Sequence, residues 1–73
     1  MLHSYAVTID AIKEARDTIP FKRFVIRTAD GQGFEVQNHD SLLIAEGGRT
    51  IIVVTPDQKF HILATEQVTS ISR

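Results

Sequence analysis

The sequence predicts a mainly β domain that opens with one short helix, and three observations carry that prediction. Helical periodicity occurs in one stretch only, ahead of Pro20. Beyond Pro20, apolar and polar residues alternate in short runs, the period of a strand with one buried face. Between those runs stand Asp30-Gly31, Gly47-Gly48 and Pro56-Asp57, residue types that turn a chain sharply. The 73 residues make a single domain, 1–73, with a thin core, since folds of this size bury only about 60% of the surface their unfolded chains expose.

The helix is expected at about residues 8–19. Ile9, Ile12, Ala15 or Arg16, and Ile19 recur at three- and four-residue spacing, which lines one face. Thr8 is the expected N-cap, and Asp10 sits in the first turn, where the helix dipole favours a negative charge. Val7 and Ile12 have the spacing of a hydrophobic staple, and Pro20 drives Ile19 out of helical geometry.

The strands follow in order. Phe24, Ile26 and Thr28 alternate against Val25 and Arg27 before the Asp30-Gly31 turn, and Phe34 and Val36 return with Glu35 and Gln37 outward. The polar loop Asn38-His39-Asp40-Ser41 precedes Leu42-Leu43-Ile44-Ala45, and Gly47-Gly48 leads into Thr50–Thr55. After Pro56-Asp57-Gln58, Lys59–Ala64 places Phe60, Ile62 and Ala64 on one face, and Val68–Ile71 closes the series. Short connections favour an antiparallel meander, and a helix followed by about five strands suggests a small, strongly bent antiparallel barrel.

Composition excludes several classes. With no cysteine there are no disulfides, and eight Lys+Arg against nine Asp+Glu leave a net charge of −1, so no global field recruits nucleic acid or an anionic membrane. An apolar fraction of 42% is too high for a disordered chain. Residues Met1–Val7 carry neither a basic leader nor an apolar run of signal length, and runs such as Ile51–Val54 are too short to span a bilayer. A soluble cytoplasmic protein without a membrane partner is expected.

The order of elements, with Phe24-x-Ile26-x-Thr28-x-Asp30-Gly31 as first strand and turn and Ala64–Ile71 as the ending, resembles the Sm-like fold. That fold is shared by Sm proteins and the bacterial host-factor RNA chaperone, and the resemblance implies a five-stranded barrel, Sm-like or SH3-like. The Pro20–Phe24 start and the Asp-Gly turn also resemble a group of short bacterial proteins of unknown function. The Sm resemblance implies a homo-oligomer, such as a ring, that binds single-stranded RNA. It implies an RNA site at Asn38, His39 and Asp40 from one loop and Thr65 and Glu66 from another. Lys22, Arg23 and Arg27 supply a basic patch that a ring would multiply, with Glu14, Asp17 and Glu35 as its balancing charges. Tyr5 is the aromatic outside the strand pattern that could stack on a base, while Phe21, Phe24, Phe34 and Phe60 read as core.

Chemistry is sparse. His39 and His61 lack metal-ligand spacing, and His61 shares the outward parity of Lys59, so no metal or cofactor is expected. Ser41, Ser70 and Ser72 lack a nucleophile elbow, and Asp30-Gly31-Gln32-Gly33 joins two strands rather than opening a helix on a phosphate. No catalytic residue is assigned. The expected protein is a non-enzymatic oligomeric binding module for RNA or, alternatively, a protein-interaction module of the same architecture. In Ile51–Val54 both faces are apolar, so a second layer, from this chain or another, must cover one of them. Thr50–Thr55 is the expected sticky edge, pairing with a neighbour's Lys59–Ala64 through an interface that includes Ile52, Val54, His61 and Leu63.

Overall fold

The computed structural model describes residues 8–72. Helix α1 (Ile9–Asp17) precedes β1 (Phe24–Thr28), β2 (Gly33–Val36), β3 (Leu42–Ile44), β4 (Thr50–Val54), β5 (Phe60–Ala64) and β6 (Val68–Ser72). Single 3-10 turns at His39–Ser41 and Thr65–Gln67 interrupt the series. No helix among the described residues is long and apolar enough to cross a membrane.

The helix begins as its sequence dictates, with the Thr8 side chain accepting from the Ala11 N–H. It ends two residues earlier than expected, because the Thr18 hydroxyl donates to the Glu14 carbonyl and Thr18 is already extended. Ile19 therefore leaves the apolar stripe and is 93% exposed, while Ile12 and Ala15 are buried. Val7, the other half of the expected staple, and Tyr5 lie outside the described residues.

The fold is mainly β, and its strands form two antiparallel sheets of three, in the orders β2-β1-β6 and β3-β4-β5. Consecutive strands pair at three hairpins, but the first sheet is completed by β6 returning to β1. The chain changes sheet at the two 3-10 turns, so six strands in two sheets stand where about five in one barrel were expected. A 3-10 turn replaces the strand ladder there with tight local bonds, such as Ser41 N–H to the Asn38 carbonyl at 3.0 Å.

The inner faces build one core. Phe24 and Ile26 from β1, Phe34 and Val36 from β2, Leu42 from β3, Ile51 and Val53 from β4, and Val68 from β6 are buried together with Ile12 and Ala15. Because α1 contributes to this same core, no described helix is left to cover the outer face of β4. Ile9 packs so closely on Gly48, which has φ +73°, that a Cβ there would meet the isoleucine at 3.2 Å.

Two hairpins are closed by one turn design. At the β1–β2 turn the Thr28 hydroxyl donates to the Asp30 carboxylate, and the Thr28 N–H donates to the Gln32 carbonyl at 3.0 Å. At the β4–β5 turn the Thr55 hydroxyl donates to Asp57 in the same way, and the Thr55 N–H reaches the Lys59 carbonyl at 3.0 Å. Each loop has three residues, and the last is left-handed: Gly31 at φ +87° in one, Gln58 at φ +65° in the other.

That loop length decides which face of β5 is buried. With Thr55 paired to Lys59, the register sets Val53 opposite His61 and Val54 opposite Phe60. Opposed residues share a face, and Val53 is fully buried, so His61 turns inward and Phe60 turns outward. The expected assignment is reversed. Phe60 and Ile62 are each 73% exposed, whereas Leu63 packs against the core and His61 is half-buried with its ring 4.7 Å from that of Phe34. The expected edge is also corrected: β4 is the central strand, bonded on both sides, and has no edge to offer a neighbour.

Candidate functional site

The two loops in which the sequence placed a shared RNA site flank opposite ends of the helix. His39 lines an open cleft of about 350 Å³ with Arg16, Asp17 and Phe21 at the C-terminal end of α1. Thr65 and Glu66 line another, of about 400 Å³, with Ile9, Gly48 and Arg49 at its N-terminal end. From Ile9 to Asp17 a helix rises about 12 Å, so these loops do not converge on one small ligand. Their polar atoms are also engaged locally. The Thr65 hydroxyl donates to the Gly48 carbonyl at 2.7 Å and its N–H to the Arg49 carbonyl at 2.8 Å, a tie between two turns. Asn38 accepts from the Ser41 hydroxyl at 3.0 Å, and His39 stands 3.0 Å from Asp40.

The basic residues are spread over a polar surface. Arg23, Val25 and Arg27 point outward from the β2-β1-β6 sheet, and Lys22 is exposed in the preceding loop. Glu35 stands opposite Val25, between the two arginines, and its carboxylate lies 3.3 Å from the Arg23 guanidinium. An acid set between two bases divides the field that a phosphate would feel. At the helix end Arg16 and Asp17 pair at 2.9 Å, which raises the guanidinium and lowers the carboxyl from their ordinary values.

His61 belongs to a turn-end cluster. Its Nε2 lies 3.2 Å from the Thr55 hydroxyl oxygen, and that hydroxyl already donates its proton to Asp57. With that proton directed at Asp57, the cluster orders the turn. The same bond holds the Asp57 carboxyl below its ordinary value, as the Thr28 hydroxyl does for Asp30. Among the described residues no three His, Cys, Asp or Glu side chains are grouped to hold a metal ion.

The outer face of the β3-β4-β5 sheet differs in kind. Its central row is Leu43, Ile52 and Ile62, one residue from each strand in direct register. Val54 and Phe60 make the next row on one side, Thr50 and Ala64 the row on the other. Leu43 is 53% exposed and Phe60 and Ile62 73%, while Ile52 and Val54 are half-buried by their neighbours in the sheet.

No family model, curated protein or solved structure matches the chain. A three-stranded sheet with no charge on its outward positions is unusual for a face left to water, where polar residues normally alternate with the core set. Sequence reading missed Leu43, Phe60 and Ile62 as surface residues. The signal that locates them is the three-residue loop 56–58, which sets the parity of β5.

Proposed function

We propose that the chain is a non-enzymatic protein-interaction module whose docking element is the outer face of the β3-β4-β5 sheet. The observation that carries this reading is the uncharged row Leu43–Ile52–Ile62 with Val54 and Phe60 beside it. The largest exposed apolar patch of a monomer, typically roughly 300–600 Å², is often functional, and sheet faces pack on other apolar surfaces. The small-barrel architecture suggested by the sequence suits such a role, because a rigid sheet presents side chains at fixed spacing. Protein docking is favoured over RNA binding because this apolar surface is continuous, whereas the basic side chains are interrupted by Glu35 and the two polar loops stand at opposite ends of α1.

Selection of a random peptide library on the protein, followed by amide-shift mapping of the enriched peptides, tests the reading. Apolar peptides should shift Leu43, Ile52, Phe60 and Ile62, and Ile62→Lys should abolish their binding. The RNA reading prevails if uridine-rich oligomers shift Asn38–Asp40, Lys22, Arg23 or Arg27 in a salt-sensitive manner while no peptide binds.

A further inference from the structure

We infer that the occupant of this face is a second copy of the chain, docked sheet to sheet about a two-fold axis that passes near Ile52. The inference rests on the protein-docking reading and names its partner.

The face suits itself. A two-fold contact sets each row against its own image, so the patch must tolerate meeting the same residue types. Leu43, Ile52, Val54, Phe60 and Ile62 satisfy that condition, because apolar side chains interdigitate without needing a complementary charge. A face carrying only lysines or only aspartates would repel its image. The charges nearest this face lie on the turns, and each turn carries both signs: Glu46 and Arg49 between β3 and β4, Asp57 and Lys59 between β4 and β5. Asp57 and Lys59 lie 3.9 Å apart, so the rim that would meet its image is close to neutral. A net charge of −1 per chain adds little repulsion between copies.

The area is what a modest dimer needs. At the exposures of Leu43, Phe60 and Ile62, with Ile52 and Val54 partly covered, the apolar patch amounts to roughly 400 Å². Copies meeting across that patch alone bury about 800 Å² in all, and the flanking turns bring the contact towards the roughly 1,200 Å² at which stable specific interfaces begin. Contacts at that lower end include the weak, reversible ones, and micromolar association is the value to test.

The geometry also excludes the more familiar route to a β assembly through this strand. Because β4 is bonded to β3 and β5 along its length, it reaches a neighbour with side chains, not with backbone. Sheet faces packed in this manner lie about 10 Å apart with strands crossing at about 30°. The result is a closed pair, not a ring or filament.

Sedimentation equilibrium from about 1 µM to about 1 mM brackets micromolar association and should reach twice the chain mass of 8.2 kDa. Ile62→Lys should weaken the dimer by about 100-fold or more while leaving the circular dichroism unchanged, since Ile62 is not needed by the core. Arg27→Glu, on the other sheet, should leave the mass unchanged. Isotope-filtered NOEs in mixed-labelled wild type should join Ile52 and Phe60 across copies, a readout that needs no variant. A dimer untouched by Ile62→Lys, or an assembly larger than two, overturns the inference. A monomer that still binds selected peptides on this face overturns the second-copy partner and leaves the docking reading standing. A monomer that binds none overturns both.

Discussion

Consider the outward residues of the two central strands. On β1 they are Val25 and Arg27, flanked in register by Glu35 and Ser72 and by Gly33 and Ser70. On β4 they are Thr50, Ile52 and Val54, flanked by Ala64, by Leu43 and Ile62, and by Phe60. Inside, the same strands are alike: Phe24 and Ile26 on one, Ile51 and Val53 on the other, all buried. Folding requires the inner positions, because they remove apolar surface from water once the sheets meet. It gains little from Phe60 or Ile62, which remain largely wet. The shared inner chemistry is therefore the chemistry of folding, and the outer difference is what the docking proposal accounts for.

The largest expected effects test the shared part. Ile26→Ala and Ile51→Ala each empty a fully buried site, one in each sheet, and each should cost about 2–5 kcal/mol. That is a large share of the roughly 4–11 kcal/mol expected of a chain this long, so either variant should be largely unfolded in mild urea. Ile62→Ala, measured at a concentration where the chain is monomeric, should cost no more than about 1 kcal/mol. Were Ile62→Ala as damaging as Ile51→Ala in the monomer, the outer face would be covered by the chain itself and the contrast between the sheets would collapse.

The two hairpin turns sharpen the comparison, because they share a design and differ in one residue. Gln58 holds the left-handed position that Gly31 fills in the other hairpin, and a non-glycine residue there costs about 1–2 kcal/mol. Gln58→Gly should stabilise the protein by roughly 0.5–1 kcal/mol, after the extra freedom glycine gives the unfolded chain. Gly31→Ala should destabilise it by about 1 kcal/mol purely through backbone strain, since an added Cβ at Gly31 would touch nothing. Thermal midpoints of the two single variants should move in opposite directions.

These turns also show what could be read from the sequence and what could not. Helix, hairpins and the inward set Phe24, Ile26, Phe34 and Val36 were legible because one face of each segment is apolar and the other is not. Strand β5 was not. Phe60-His61-Ile62-Leu63 has apolar side chains at both parities, so alternation alone cannot orient it, and only the loop length does. The Thr-x-Asp pairs at 28–30 and 55–57 were present in the sequence, but a hydroxyl bonded to a carboxylate two residues on has no hydrophobic signature. The expected RNA loops failed to meet for a similar reason. A closed barrel would set them side by side at one end, but the 3-10 turns in which they sit lie at opposite ends of α1.

The carboxylates in those turns give a pH dependence of known sign. The Thr28 and Thr55 hydroxyls lower the Asp30 and Asp57 pKa values, so the folded state holds these protons less tightly than the unfolded chain. Stability from them is present at neutral pH and declines as the pH falls through the ordinary aspartate value of about 4 and below it. Denaturation midpoints between about pH 6 and about pH 2.5, which bracket that value, should show the decline, and Thr28→Val with Thr55→Val should flatten it. An unchanged slope in that double variant would remove the hydroxyls as the cause.

The smallest effect belongs to the polar face. Arg23 and Glu35 lie 3.3 Å apart with side chains 73% and 39% exposed, so water screens the pair and both side chains lose freedom to form it. Arg23→Ala should cost at most about 0.5 kcal/mol, a midpoint lowered by no more than about 4 °C, and molar salt should erase part of that difference. It should also leave the sedimentation behaviour of the chain unchanged. The two outer faces would then separate cleanly: removing a charge from the first sheet alters neither folding nor mass, whereas adding one to the second alters mass alone. If Arg23→Ala instead shifted the oligomeric state, the polar sheet would be the interface, and the apolar row would need another occupant.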